Sequence, residues 1–182
     1  MELGWSATDF RVRRAVTDDA ALLATVAARL FTDAFAEHNR PEDIEAYLAS
    51  AFSKDVQQGE IADTNSIIWV AENEGQFIGY AHIKLGSAPR SVALTRPVEL
   101  SRIYADRAWH GRGVGAELLK RCIDAASEWG STALWLGVWE ENPRGIAFYK
   151  KHGFRVAGGQ VFQLGRDAQR DLIMVRDMSL HP

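Results

Sequence analysis

The sequence predicts a single α/β domain over residues 1–182. Three observations predict it. Apolar residues recur at helical spacing in the first third of the chain. They alternate at period two through 77–85, and one β-α-β unit occupies 98–139. A chain of 182 residues can bury a proper core in one domain. Hydrophobic content of 47% and charged content of 25% place it among ordinary water-soluble globular proteins.

The elements follow in order. Residues 11–16 alternate weakly and read as a first strand. Thr17, Asp18 and Asp19 supply an N-cap and an acidic first turn. Leu22, Leu23, Val26, Ala27, Leu30, Phe31, Ala34 and Phe35 carry the helix that follows. His38, Asn39 and Pro41 break it. Pro41 opens a second helix whose stripe is Ile44, Tyr47, Leu48, Ala51 and Phe52. Residues 66–71 and 77–85 read as a hairpin about Asn73-Glu74-Gly75-Gln76. A loop rich in turn formers covers 86–97. Strand 98–105, a glycine-spaced loop, a helix reaching about Gly130 and strand 133–139 make the β-α-β unit. A helix over 142–152 comes next. Strands at 154–156, 161–164 and 172–178 close the chain, with a turn over 165–170.

Bulk properties exclude several classes. The net charge of −3 argues against non-specific nucleic-acid binding and is compatible with a cationic substrate. The single cysteine, Cys122, has no internal disulfide partner, which fits a reducing cytoplasm. It stands on the apolar face of its helix, four residues after Leu118, and reads as a buried structural thiol. Residues 1–10 lack the basic-then-apolar pattern of a signal peptide. No apolar run approaches the roughly 20 residues of a membrane helix. A cytoplasmic protein without membrane or nucleic-acid partners is expected. His38, His82, His110, His152 and His181 are scattered without metal-ligand spacing, so no zinc site is expected. His82 alternates with Tyr80 and Lys84 and is expected at an exposed or rim position.

The chemistry concentrates in the glycine-spaced loop. Gly111, Gly113 and Gly115 let the backbone turn sharply and approach a ligand. The helix behind them presents unpaired N–H groups and the positive end of its dipole. This is an anion cradle suited to phosphate or pyrophosphate, and Arg112 can add a charge. Three loop types compete. A Walker A loop requires Gly-Lys-Ser/Thr, which Arg112-Gly113-Val114-Gly115 lacks. A Rossmann fingerprint fits the spacing of Gly111, Gly113 and Ala116, with Glu140 roughly where a ribose-binding acid would stand. Against it, residues 105–110 separate the strand from Gly111, and there is only one β-α-β unit. In the third, His110-Gly111-Arg112-Gly113-Val114-Gly115 resembles the Gln/Arg-x-x-Gly-x-Gly/Ala pyrophosphate loop of the GCN5-related N-acetyltransferase (GNAT) family. His110 stands where the family usually has Gln or Arg. A second segment decides between them. Asn142-Pro143-Arg144-Gly145-Ile146-Ala147-Phe148-Tyr149-Lys150-Lys151-His152-Gly153-Phe154 resembles the family's Asn-x-x-Ala-Ile-x-Phe-Tyr-x-x-x-Gly-Phe, with Gly145 for the usual Ala.

The resemblance spans roughly 11–178. It implies a GNAT-like mixed, mostly antiparallel sheet flanked by helices, whose central strands, 98–105 and 133–139, splay apart to hold acetyl-CoA. It implies cofactor contacts at His110, Gly111, Arg112, Gly113, Val114 and Gly115. Asn142 would touch the pantetheine or phosphate arm, although its place before Pro143 also suits an N-cap. Backbone groups near Ile103 and Tyr104 are implied as pantetheine partners and oxyanion donor.

Forming an amide from an amine and a thioester needs a neutral amine, a proton acceptor, an oxyanion donor and an acid for the leaving thiolate. Tyr149 matches the motif tyrosine that the resemblance places near the cofactor sulfur, and a phenol can protonate a thiolate. Glu99 is the candidate base, on the strand before the loop, read as alternating with Ser101 and Ile103 on one face. The acceptor is expected to be a primary amine. The helical pair about Phe31–Phe52, together with 99–104, 135–140 and Asp171-Leu172-Ile173-Met174, resembles the bacterial spermidine/spermine branch called PaiA. That points to a polyamine. A protein N-terminus, another small amine, or a non-catalytic acetyl-CoA-binding regulatory module are the alternatives.

Overall fold

The computed structural model describes residues 9–86, 88–89 and 92–178. His181 and most of the 1–10 segment read for a leader lie outside the described residues. Seven strands form one sheet: β1 (Arg11–Arg14), β2 (Ser66–Asn73), β3 (Gln76–Leu85), β4 (Pro97–Ala105), β5 (Ala133–Trp139), β6 (Arg155–Leu164) and β7 (Asp167–Asp177). Their order is β1-β2-β3-β4-β5-β7-β6. Every neighbouring pair is antiparallel except β4 and β5. Three helices, α1 (Ala20–Phe35), α2 (Pro41–Ala51) and α3 (Lys54–Ala62), precede the first hairpin. α4 (Val114–Glu128) and α5 (Pro143–Lys151) flank β5 in sequence.

The apolar stripes dictate which face each helix covers. Leu23, Leu30 and Phe31 of α1 and Ile44 of α2 bury with Val70 and Tyr80 on one face. Leu118, Leu119 and Cys122 of α4 bury with Ala81, Ile83, Leu134, Leu136 and Met174 on the other. Both faces are thus covered, as strands apolar on both sides require.

The central pair is the departure from a regular sheet. β4 and β5 are in register only at Pro97–Ala133, Val98–Leu134 and Glu99–Trp135. Beyond that, β4 keeps its pairing to β3 as far as Ala105 and β5 keeps its pairing to β7 as far as Trp139. The strands therefore splay. A β-bulge marks the divergence. The β3–β4 register passes from Ile83–Leu100 to His82–Arg102 and leaves Ser101 as the extra residue.

The bulge corrects the strand face read from the sequence. Glu99 is opposite Lys84, Arg102 opposite His82 and Tyr104 opposite Tyr80. Glu99 therefore shares the α1–α3 face with Arg102 and Tyr104. Ile103 packs with the α4-side core. One inserted residue reverses the alternation, so Glu99 and Ile103 do not share a face.

Three further differences have physical causes. α3 carries no apolar stripe. It lays Gln57, fully buried with its Nε2 donating to the Ala51 carbonyl at 3.0 Å, and Glu60, paired to Arg102 at 2.7 Å, onto the sheet. A polar inward face leaves no hydrophobic period to read. His82 is buried rather than at a rim, because α3 lies over it. Its Nε2 is 2.6 Å from Ser66 Oγ, and burial, then Arg102 and Lys84, lower its pKa to about 3, so it is neutral. The closing strands are longer than read. β6 runs unbroken through Ala157-Gly158-Gly159-Gln160 by way of a bulge, and the turn shrinks to Gly165-Arg166.

Candidate active site

The divergence of β4 and β5 opens a cleft of about 590 Å³, bounded by the start of α4, by α5 and by the end of α1. Ile103, Tyr104, His110, Gly111, Gly113, Val114, Gly115, Asn142 and Tyr149 all line it. Arg112 and Glu99 are not among its lining residues. Arg112 instead lies over the Trp109 ring, 5.3 Å from its centroid.

One end of the cleft suits phosphate. Gly111 (φ 78°) and Gly113 (φ 89°) adopt left-handed backbone, and a Cβ on either would meet nothing within 4 Å. Gly113 caps α4, and the Glu117 N–H donates to its carbonyl at 2.9 Å. The first-turn N–H groups before Glu117 have no partner within the helix. Arg107, Arg144 and Lys151 line the same cleft and add positive charge. Open backbone and a helix N-terminus, in a cleft made positive by these side chains, fit a diphosphate arm. The His110 ring turns away from this task. Its Nε2 lies 2.9 Å from the Ala105 carbonyl oxygen and braces the loop.

α5 supplies the opposite wall. Asn142 Oδ1 accepts the Gly145 N–H at 2.9 Å, so Asn142 is the N-cap. Gly145, the departure from the family motif, has a packing reason: a Cβ there would sit 2.7 Å from Asn142 Nδ2. Tyr149 packs against Phe148 and Phe154, with ring centroids 5.4 and 5.7 Å away. Burial, with a smaller contribution from Cys122, pushes its phenol up, so it carries its proton at neutral pH. Cys122 is fully buried and its thiol is likewise pushed up by burial, which makes it structural.

The third wall is aromatic and lies on the α1–α3 face. Arg29 pairs with Asp106 at 2.8 Å, and Arg107 donates to the Asp33 carbonyl, tying the end of α1 across the cleft mouth. Tyr104 packs edge-on to Phe31 and Phe35 at 6.3 Å each, and His38 packs on Trp139 at 5.6 Å. Glu99 lies on this face where β4 and β5 begin to part. Its side chain is about one-third exposed and its Oε2 is 3.9 Å from Lys84 Nζ.

One residue on this face escaped the sequence reading as a site. Asp171, on β7, is opposite Trp139 on β5 and Gln160 on β6. It is only 8% exposed, and its side chain makes no hydrogen bond or ion pair to any described residue. Burial holds its carboxyl up at about 6. A single acid beside the apolar run Leu172-Ile173-Met174 was the available signal, and the turn read over 165–170 masked it by ending next to it.

With the geometry in place, comparison with known proteins assigns the family. The sequence model of the acetyltransferase (GNAT) family matches residues 27–154. This chain is a GNAT acetyltransferase. An uncharacterised N-acetyltransferase of Mycobacterium tuberculosis is 34% identical over 160 residues, covering 88% of this chain and 98% of the relative. An uncharacterised N-acetyltransferase of Lactobacillus delbrueckii is 31% identical, covering 82% and 86%. The crystal structure of PaiA N-acetyltransferase from Thermoplasma acidophilum, in complex with coenzyme A, superposes with a TM-score of 0.76. It is 22% identical, covering 93% of this chain and 99% of that one, and shares the fold. This GNAT enzyme therefore takes acetyl-CoA as cosubstrate.

Two predictions come from this geometry. Saturating acetyl-CoA, at ~100 times its Kd, should stabilise the wild type by about 2.7 kcal/mol. Gly113→Asp, which sets a carboxylate at the helix N-terminus, should fold but lose most of that stabilisation in thermal melts. The second concerns Asp171. Its folded-state pKa is raised, so the native state binds more protons than the unfolded chain between about pH 4 and 6, and stability falls as pH rises through that window. Asp171→Asn should therefore stabilise the ligand-free protein at pH 8 by roughly 1–3 kcal/mol, and by much less at pH 4, in urea unfolding.

Proposed function

We propose that this acetyltransferase acts on a primary amine of a polyamine such as spermidine or spermine. The observation that carries this reading is the wall opposite the phosphate end. Phe35, Tyr104 and Trp139 line the cleft there, and Glu99 lies on the same sheet face. Aromatic faces attract alkylammonium groups, and an aliphatic chain packs against them. The shared fold with the PaiA enzyme of Thermoplasma acidophilum supports the same reading.

Acetyl-CoA supplies the acetyl group as an activated thioester. Residues of this chain do the rest. The α4 N-terminus and the Gly111–Gly115 loop bind the phosphate arm. The edge of β4 about Ile103 and Tyr104, no longer paired to β5, orients the thioester end. Free alkyl amines have pKa values near ~10, so the acceptor must lose a proton to react at neutral pH. Glu99 takes that proton by way of water, since its carboxylate stands back from the cleft. Tyr149 holds a proton at its phenolic oxygen and delivers it to the departing thiolate.

The test is an acceptor screen that follows free-thiol release. Spermidine and spermine should be acetylated in preference to peptide α-amines, with kcat/KM rising with pH as the amine deprotonates. Tyr149→Phe should lower kcat by about 10²–10⁴-fold with acetyl-CoA affinity unchanged. Glu99→Gln should lower kcat/KM most near neutral pH and recover in part at alkaline pH. Turnover of peptides without polyamines would overturn the substrate class, and thiol release on neither would favour a regulatory acetyl-CoA-binding module.

A further inference from the structure

Gly137 is the only exposed residue of β5, although β5 lies in the middle of the sheet. It stands two positions past Trp135, the last β5 residue in register with β4, so it borders the gap between the diverging strands. Alternation puts it on the same face as Trp135, Trp139 and Asp171. A Cβ at Gly137 would meet Asp171 Oδ2 at 3.0 Å and Gln160 Nε2 at 2.8 Å. The Asp171 carboxylate therefore leans over β5 into the space that the missing side chain leaves, at the edge of the opening.

Asp171 as a residue is only 8% exposed, and its carboxylate has no hydrogen bond or ion pair among the described residues. Removing a carboxylate from water without compensation costs several kcal/mol. No hydrogen bond or ion pair among the described residues offsets the part of that cost Asp171 bears. The surroundings are aromatic and neutral. Trp139 is its cross-strand neighbour, and Gln160 flanks it from β6. The Tyr47 phenol is pushed up chiefly by burial, and the nearby charge of Asp171 adds to it. Arg102, on the same sheet face, is already committed to Glu60.

We propose that Asp171 binds a protonated nitrogen of the acceptor amine at the opening over Gly137, and so makes the enzyme selective for cationic acceptors. The proposal rests on the amine-acceptor reading above and adds the residue that recognises charge. An ammonium there gains a charge-assisted hydrogen bond to a carboxylate in a site of low dielectric, with aromatic rings around its alkyl chain. Gly137 is required because any side chain would displace the carboxylate or fill the ammonium's place.

The experiment is calorimetric titration of the protein–CoA complex with spermidine and, separately, with butylamine, for wild type, Asp171→Asn and Gly137→Ala. Binding is read without chemistry, so the Glu99 and Tyr149 assignments do not enter. Asp171→Asn should weaken both amines about 10–100-fold, the range of a hydrogen bond to a charged group, with CoA affinity unchanged. Gly137→Ala should weaken them in the same direction. Kinetically, Asp171→Asn should act on the acceptor KM more than on kcat. A thermal melt at least as high as wild type shows that Asp171→Asn is folded. Wild-type affinity of Asp171→Asn for both amines overturns the proposal and leaves the amine reading standing. Tight butylamine with no spermidine binding overturns the polyamine reading while the Asp171 comparison still decides the site. No binding of either amine by the wild type overturns both.

Discussion

The parting of β4 from β5 is the constraint on which the molecule depends. Parallel neighbours in a sheet normally continue in register for the length of the shorter strand. Here they agree over three residue pairs and then diverge, with Ser101 bulged out of β4 at the point of departure. The inner edges of both strands keep backbone donors and acceptors that the sheet does not use. Buried backbone groups need partners, so the gap is a demand for a peptide-like ligand arm as much as a space for one. The outer edges are held by β3 and β7, which keeps the opening rigid rather than loose.

The two sheet faces divide the remaining work. The α4–α5 face is an apolar core that holds the phosphate loop and Tyr149 in place. A left-handed Gly113 directs the first turn of α4 toward the cleft, and the packing of Leu118 and Leu119 fixes that direction. The α1–α3 face combines aromatic packing with polar groups under the helices. Glu60 and Arg102 neutralise one another, and Ser66 Oγ pairs with Nε2 of His82. Asp171, on the same face, has a carboxylate with no hydrogen bond or ion pair among the described residues. A carboxylate left without a hydrogen bond or ion pair beside the gap between β4 and β5 trades stability for a binding capacity.

The parts of the site legible in the sequence are those held by local chemistry. Gly111 and Gly113 announce left-handed backbone before a helix, and Asn142-Pro143 announces a capped helix start, because these depend on residues a few positions apart. The helical stripes of α1, α2 and α4 were legible for the same reason. α3 was not, since its inward side chains, Gln57 and Glu60, find their partners in Ala51 and in Arg102 on a distant strand.

By itself the sequence determined the order of the strands, the helices that carry apolar stripes, the glycine-spaced loop before α4 and the family. Each is written in short spacings that a chain carries with it whatever its surroundings. Only the tertiary structure decided which side chains share the acceptor side. A single bulge at Ser101 reversed the face on which Glu99 lies, and pairing of β7 with β5 set Asp171 over Gly137, thirty-four residues away in the chain. Strand alternation has a period of two, so one extra residue inverts it, and cross-strand neighbours are chosen by register rather than by sequence distance.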